Sequence, residues 1–160
     1  MTPLYIATKK FDPFFSPSDW QVYQTESKLG HLKEVVSLDS ILCPPLLEAK
    51  SDYWPYTVNE DFMGQFFTDL DFLLTEVAQI EGKNILCVYR EPTSHPAAPG
   101  KGTWEFMGYD LVDGTTGISA LTNCGGFPDA FDEAELSCCG LLTSLELARK
   151  VQLKLKQAYA

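Results

Sequence analysis

Apolar residues between Glu60 and Ile80 recur at helical spacing, and this is the clearest periodic pattern in the chain. At 100° per residue, its apolar side chains fall within about 160° of arc, which is a wide core-facing stripe. Asn59 precedes the pattern as a candidate N-cap, and acids in the first turn suit the helix dipole. The pattern predicts one long amphipathic helix from about Glu60 to Ile80.

The opposite side of that predicted helix is polar and acidic. It carries Asp61, Asp69 and Glu76, and Phe72 projects among them as the only aromatic side chain. An aromatic residue ringed by acids is typical of an interface hot spot for a basic partner. The pattern therefore predicts a partner-binding surface on this face. The alternative is that Phe72 packs under the proline-rich N-terminal segment or under the aromatic loop at residues 53–55.

Shorter amphipathic patterns predict a helix near each end of the chain. The first follows Ser18, carries Trp20 and Tyr23 on its inward face and ends near Gly30. The last follows Gly140, with apolar residues at helical spacing and bases near its C-terminal end, where the helix dipole favours them. Both helices are expected to pack on the core through one face.

Three segments have the character of strands. Residues 84–90 form a continuous apolar run, which is consistent with a central strand. Residues 104–113 and 117–124 are predicted to form a hairpin, with a bulge at Gly108 where the alternation of the first strand breaks. Together with the helices, these strands predict an α+β fold: a small, largely antiparallel sheet with helices packed on one side.

The length and composition fit one globular domain spanning residues 1–160. Apolar residues make up 45% of the chain and charged residues 21%, so the chain can bury a core and is too apolar for disorder. The first residues have neither the basic nor the apolar region of a secretory signal. The five cysteines are odd in number. These observations predict a cytoplasmic protein with reduced thiols.

The net charge of −10 is distributed unevenly along the chain. Residues 51–82 contain seven acids and residues 102–148 contain eight, and neither stretch contains a lysine or arginine. A field of one sign attracts cationic proteins and repels nucleic acids and anionic membranes. We therefore expect a basic protein partner, no nucleic acid and no membrane. The candidate contact residues are Asp61, Asp69, Phe72 and Glu76, together with Asp129, Asp132 and Glu133 from an acidic loop.

Cys124 is the strongest candidate for chemistry. It follows a predicted strand and precedes two glycines, which would let a substrate approach the thiol closely. A cysteine nucleophile also needs a base, and His95 or His31 would have to supply it. The surrounding residues match no cysteine-hydrolase signature. A small buried cysteine at a strand end is the favoured interpretation, and an enzyme using Cys124 with His95 is the alternative.

No pattern of metal or cofactor ligands stands out. Two histidines 64 positions apart and scattered cysteines make no tetrahedral zinc set. Asp110 with Asp113, or the acids of the loop at residues 129–133, could hold a hard cation, but the loop lacks the ligand spacing of a calcium site. Solvated surface carboxylates are the favoured interpretation. No phosphate-binding or dinucleotide-binding motif is present, and we expect no cofactor and no metal.

Four segments carry a resemblance to a known family. They are residues 34–44 (EVVSLDSILCP), 66–74 (FFTDLDFLL), 89–92 (YREP) and, most specifically, 108–131 (GYDLVDGTTGISALTNCGGFPDAF). They resemble a family of small, mostly uncharacterised bacterial cytoplasmic proteins, which is similar to the immunity proteins that accompany polymorphic or contact-delivered toxins. The resemblance implies binding to a toxin and assigns no chemistry to any residue.

The sequence thus predicts a non-enzymatic protein that binds and neutralises a basic protein partner, a cognate toxin in the interpretation that the resemblance favours. The acids would engage lysine and arginine side chains, steer association and cover the active cleft of the partner. Two alternatives stay open, namely the enzyme using Cys124 with His95 and a regulatory or scaffolding domain.

Overall fold

The computed structural model describes residues 2–27, 29–60, 64–114, 116–122 and 130–158. Its sheet has four strands, all paired antiparallel, in the spatial order β2-β3-β1-β4. The strands are β1 (Leu4–Lys9), β2 (Thr57–Glu60), β3 (Gly64–Phe67) and β4 (Lys83–Val88). The α-helices are α1 (Pro17–Glu26), α2 (Leu70–Glu76) and α3 (Leu145–Ala158), and short 3₁₀ helices span Ser51–Tyr56 and Glu133–Glu135. The predicted α+β class with an antiparallel sheet is confirmed.

The strand β1 lies inside the sheet, between β3 and β4, and it is not among the strands predicted from the sequence. It pairs along its whole length with β4, from Leu4 opposite Val88 to Lys9 opposite Lys83. On its other side it meets β3, with Tyr5 opposite Phe67. The strand predicted at residues 84–90 is present as β4, but it lies at the edge of the sheet and the prediction of a central position is wrong. Its continuous apolar run arises because both of its faces are partly covered.

The long helix predicted from Glu60 to Ile80 is wrong at Glu60 and at residues 64–69, whereas residues 61–63 lie outside the described part of the chain. The chain forms β2 and β3 there, and α2 is limited to Leu70–Glu76. Phe66 and Phe67 are both buried, but they belong to clusters on opposite faces of the sheet, as consecutive strand residues do. Pairing with β1 therefore outweighs the helical spacing. The helix begins where Asp69 accepts a hydrogen bond from the Phe72 amide at 3.0 Å.

The two faces of the sheet bury different clusters. On one face, Leu73 of α2 and Val77, the residue that follows this helix, are fully buried in a cluster that also contains Tyr5, Ala7, Tyr53 and Phe67. On the other face, coil segments contribute Leu38 and Val112, which pack against Ile6, Phe66 and Leu86. Among the described residues of these two clusters, those that belong to an α-helix are all in α2.

In the described part of the chain, the largest hydrophobic cluster includes no residue of the four strands. Trp20 and Tyr23 of α1 pack there with Ala148 and Val151 of α3, as the predicted inward faces of both helices require. The other buried members lie outside the α-helices and strands, and they are Phe11, Leu29, Leu32, Val35, Cys43, Tyr109, Leu121, Ala130, Leu136 and Leu142. None of the described helices has the length and apolar composition to cross a membrane.

The hairpin predicted from residues 104–113 and 117–124 is wrong as a pair of strands, within residues 104–114 and 116–122 that the structure describes. Tyr109 forms an isolated bridge with Leu142, while Val112 forms one with Ser119. The chain thus changes its backbone partner after three residues, and no continuous ladder forms. Hydrogen bonds near the turn remain, since the Asp113 amide donates to the Ile118 carbonyl at 3.0 Å.

Gly108, where a bulge was predicted, is a point of close packing. Its φ is +137°, and a Cβ at this position would lie 2.6 Å from Leu141 Cβ and 2.8 Å from the Leu142 carbonyl oxygen. We expect Gly108→Ala to lower the free energy of unfolding by at least about 2 kcal/mol, because strain and overlap add. Gly100→Ala is the matched control, since nothing lies within 4 Å of its Cβ position. Urea unfolding measures both, and equal midpoints would contradict this packing.

Candidate functional site

The helix α2 and the 3₁₀ helix before β2 together form a surface of aromatic and acidic side chains. We call it the aromatic–acidic surface, and it consists of Tyr53, Trp54, Tyr56, Asp69, Asp71, Phe72 and Glu76. Phe72 stacks on Tyr56 with ring centroids 3.9 Å apart and planes at 11°. It also meets the buried Tyr53 edge-on at 5.7 Å. These rings fix the 3₁₀ helix against α2.

Phe72 therefore has a packing role, which is the alternative that the sequence left open. It is half-buried, and its ring also lies 6.0 Å from the core residue Phe67. The aromatic side chain that this surface displays to solvent is Trp54, which is 66% exposed. Trp54 is not among the contact residues predicted from the sequence. The sequence feature that could have indicated Trp54 is the aromatic run Tyr53-Trp54-Pro55-Tyr56. In this run the Tyr53 side chain is buried and the Trp54 side chain is exposed.

Three carboxylates stand around the ring stack, and each has a distinct local role. Asp69 is exposed and caps α2 through its side chain. Glu76 accepts a hydrogen bond of 3.1 Å from the Tyr53 hydroxyl, which orients its carboxylate. Asp71 forms an ion pair with Lys101, and this hydrogen-bonded pair raises the pKa of the lysine. The predicted residues Asp69, Phe72 and Glu76 are thus brought together on one surface.

The surface already holds two of the protein's own cations. Lys50 Nζ lies 5.4 Å from the centroid of the Tyr53 ring, a cation–π distance. Lys101 reaches Asp71 from a loop of prolines and glycines, although both side chains are about two-thirds exposed, at 69% and 67%. A pocket of about 500 Å³ opens beside the pair of Asp71 and Lys101, and it is lined by Tyr5, Pro55, Tyr56, Thr68, Asp69, Leu70, Asp71 and Lys101. Rings and carboxylates together are a setting in which lysine and arginine side chains bind.

The other predicted contact residues lie apart from this surface or outside the described part of the chain. Asp132 and Glu133 are exposed at the second 3₁₀ helix, where Asp132 and Glu135 form a capping box. No described hydrogen bond, ring contact or hydrophobic cluster joins them to α2. Asp61 and Asp129 lie outside the described residues.

The histidines are engaged in hydrogen bonds within the fold. His95 Nδ1 lies 2.9 Å from the Tyr109 hydroxyl, and its ring meets Phe106 edge-on at 4.5 Å. His31 Nε2 donates to the Leu136 carbonyl at 3.2 Å. Cys124, the proposed nucleophile of the alternative enzyme, lies outside the described residues. Each histidine therefore has a hydrogen-bond partner that orients its ring, and among the described residues neither histidine forms a hydrogen bond with a thiol.

Asp110 is enclosed by donors, contrary to the expectation of a solvated surface acid. Its carboxylate accepts four hydrogen bonds, from the hydroxyls of Ser37 and Ser119 at 2.5 Å each and from the amides of Leu38 at 3.2 Å and Leu111 at 2.8 Å. Burial raises the pKa of Asp110, and these four donors oppose the rise. The carboxylate therefore ties three coil segments together.

A second buried carboxylate extends this network. Asp39 is 1% exposed and accepts from the amides of Ile41, Leu42 and Ser119 at 2.9 to 3.1 Å. All three donors are backbone amides of this chain, so the Asp39 carboxylate is used within the fold. Among the described residues, no group of three or more histidine, cysteine or acidic side chains is placed to hold a metal ion.

No family model, curated protein or solved structure matches this chain. The resemblance to immunity proteins is thus carried by its four sequence segments alone, and any function has to be argued from the geometry and charge of the chain.

The described cysteines are free thiols, and they differ in accessibility. Burial raises the pKa of Cys43 to about 12 and that of Cys139 to about 11, whereas Cys138 is exposed. We expect a maleimide to label Cys138 first and Cys43 last, because a thiolate must form and be reached. Mass spectrometry of unreduced, alkylated protein should show five free thiols. An intramolecular disulfide would contradict this, and urea-unfolded protein, labelled rapidly at all sites, is the control.

Proposed function

We propose that this protein is a non-enzymatic binding protein that neutralises a basic protein partner, a cognate bacterial toxin, in the cytoplasm. The observation that carries the proposal is the aromatic–acidic surface, where exposed carboxylates surround a rigid ring stack, Lys50 lies over the Tyr53 ring and Lys101 pairs with Asp71. A basic protein can offer the same cationic groups in place of Lys50 and Lys101. Recognition of lysine and arginine is therefore the function that this geometry supports best.

The surface is suited to binding because its parts are preorganised. Phe72 stacks on Tyr56, and the Tyr53 hydroxyl donates a hydrogen bond to Glu76. These contacts fix the rings and one carboxylate in place before a partner binds. The free-energy cost of ordering these side chains when a partner binds is therefore small. Trp54 adds a large exposed ring of the type enriched in interface hot spots.

The net negative charge of the protein favours the approach of a basic partner, and the aromatic–acidic surface forms the contact with it. A net charge of −10 steers a basic partner toward the protein and accelerates association, most strongly at low ionic strength. Bound at α2 and the first 3₁₀ helix, the protein would cover the cationic cleft of a toxin and keep its substrate out. This mechanism uses occlusion and needs no catalytic residue.

The test begins with identification of the partner by affinity capture from the native organism and mass spectrometry. Binding kinetics are then measured for Asp71→Lys and for the matched control Asp19→Lys. Both are acids in the first turn of a helix and both substitutions change the net charge equally. We expect only Asp71→Lys to slow association by more than the change in net charge explains, and the difference should shrink in high salt.

Trp54→Ala tests the apolar part of the same surface. We expect it to raise the Kd by at least about 30-fold, the loss that defines a hot spot of about 2 kcal/mol. Phe14→Ala is the control, because Phe14 is an exposed aromatic residue, at 82%, on a different turn. A growth assay with the captured protein expressed in the host should give rescue by wild type and weaker rescue by Trp54→Ala. A strongly acidic partner, or catalysis that disappears in Cys124→Ser, would overturn the proposal.

A further inference from the structure

We propose that the outer edge of β4 pairs with the same edge of a second copy, giving a two-fold symmetric dimer with one continuous eight-stranded sheet. The two β4 strands would run antiparallel with Ile85 opposite Ile85 of the other copy. This inference is independent of the proposed toxin-binding function, because it uses a different part of the molecule.

The direction of the free backbone groups in β4 follows from its pairing with β1. The Lys10 amide donates to the Gly82 carbonyl at 2.7 Å, and the register continues as Thr8 opposite Asn84. In an antiparallel ladder, hydrogen-bonded pairs alternate with pairs whose backbone groups point away. Residues 84, 86 and 88 therefore bond to β1, whereas the amides and carbonyls of residues 83, 85 and 87 point outward.

The other side of β1 supports this assignment. The Lys9 amide donates to the Pro44 carbonyl at 2.9 Å, and the Ala7 carbonyl accepts from the Leu46 amide at 2.9 Å. The backbone amides and carbonyls of the odd-numbered β1 residues thus point away from β4, as the alternation of hydrogen-bonded pairs in an antiparallel ladder requires. No described residue forms a hydrogen bond with the outward amides and carbonyls of β4.

This edge lacks the features that keep exposed strands from pairing. Proteins protect such edges with proline, bulges or charges within the strand. The β4 strand has six residues, contains no proline, pairs without a bulge and carries its one charge, Lys83, at its first position. Among the residues that the structure describes, none forms a backbone hydrogen bond to the outer side of β4, so the middle of this edge can accept another strand.

A second copy fits the edge better than a basic segment does. The three outward positions are centred on Ile85, so a two-fold axis there places residue 83 of each copy opposite residue 87 of the other. That register forms six hydrogen bonds and leaves no outward group of these positions unpaired. None of the outward positions Lys83, Ile85 and Cys87 is acidic, so a basic strand would find no charge partner among their side chains.

Hydrogen exchange of the wild-type protein tests the pairing without any substitution. In dilute solution, at about 5 μM, the amides of Ile85 and Cys87 should exchange much faster than those of Asn84 and Leu86. At about 500 μM, we expect protection at Ile85 and Cys87 to rise in proportion to the dimer fraction measured by analytical ultracentrifugation. Outward amides that exchange at the same rate at both concentrations would overturn the proposal.

A pair of variants separates the backbone contact from the side chain. Ile85→Pro removes the outward amide without removing a hydrogen bond to β1, and Ile85→Ala shortens the same side chain but keeps the amide. We expect Ile85→Ala to dimerise and Ile85→Pro to stay monomeric. Equal dimerisation of the two folded variants would overturn the proposal, and the exchange experiment decides if Ile85→Pro does not fold.

Salt dependence distinguishes this contact from the proposed toxin complex. Two copies of net charge −10 repel each other, so the dimer should tighten by at least about threefold between low salt and about 0.5 M salt, as the repulsion is screened. A complex with a basic partner should weaken over the same range. A dimer that weakens with salt would overturn the assignment of the interface to the uncharged edge.

Discussion

Phe67→Ala is expected to lower the free energy of unfolding by about 3–5 kcal/mol, the cost typical of removing a buried phenylalanine ring. Phe67 is 1% exposed, pairs with Tyr5 of β1 and meets the Tyr53 ring at 5.5 Å. Its removal leaves a cavity between the sheet, α2 and the 3₁₀ helix that carries Trp54. A loss of this size approaches the whole stability of a small domain.

Urea unfolding followed by tryptophan fluorescence measures this effect, and Phe14→Ala is again the control. Because Phe14 is 82% exposed, its truncation should change the free energy of unfolding by less than about 0.5 kcal/mol. If Phe67→Ala also costs less than about 1 kcal/mol, the ring does not occupy the core between β3 and α2.

Asp110→Ala is expected to cost about 2–4 kcal/mol, because it leaves two hydroxyls and two backbone amides without their acceptor. Asp110→Asn should cost less, since it keeps the shape and one acceptor oxygen while turning an NH₂ group toward donors. Asp113→Ala, at an exposed position in the same turn region, should cost under about 1 kcal/mol. Equal losses in Asp110→Ala and Asp113→Ala would show that the enclosed carboxylate has no special role.

The pH dependence of stability gives a second readout for Asp110. Burial raises its pKa above the ordinary value of 3.8, so the folded protein keeps a proton that the unfolded chain has released. The stabilisation from this group is therefore complete below about pH 4 and is lost as the pH rises through the folded-state pKa. The stability of wild type relative to Asp110→Asn should fall as the pH rises above about 4. A difference that grows with pH would mean that the four donors outweigh burial.

Local patterns predicted the terminal helices and β4, because the residues that form them also decide their packing. Trp20 and Tyr23 in α1, and Ala148 and Val151 in α3, face the core as their spacing requires. The apolar run of residues 84–90 likewise became a strand with both faces partly covered. In these cases the hydrophobic pattern and the tertiary contacts favour the same structure.

The pattern failed where a distant strand decides the structure. Phe66 and Phe67 satisfy a helical stripe and also the two faces of a strand, and pairing with β1 selects the strand. Because β1 itself was not predicted from the sequence, residues 64–67 had no predicted strand to pair with, and a helix was the structure predicted for them. The same error placed Phe72 on an exposed acidic face, whereas the helix that carries it is short and packs its ring on Tyr56.

The candidate site was predictable in its charge and only partly in its geometry. The absence of bases in residues 51–82 is visible in the sequence and explains the carboxylates around α2. The placement of Lys50 and Lys101 on that surface depends on contacts between segments far apart in sequence. Asp110 differs in the same way, because Ser37, 73 residues away, helps to enclose it.

The largest hydrophobic cluster joins Phe11 and α1 to α3 at the other end of the chain. A ribosome releases these parts in order, so Trp20 and Tyr23 leave the exit tunnel long before Ala148 and Val151 have been synthesised. The nascent chain must therefore carry exposed aromatic surface until the last helix is complete, a state in which chaperones bind and aggregation begins. A premature stop before α3 should consequently yield a protein that is degraded, and not a shorter functional domain.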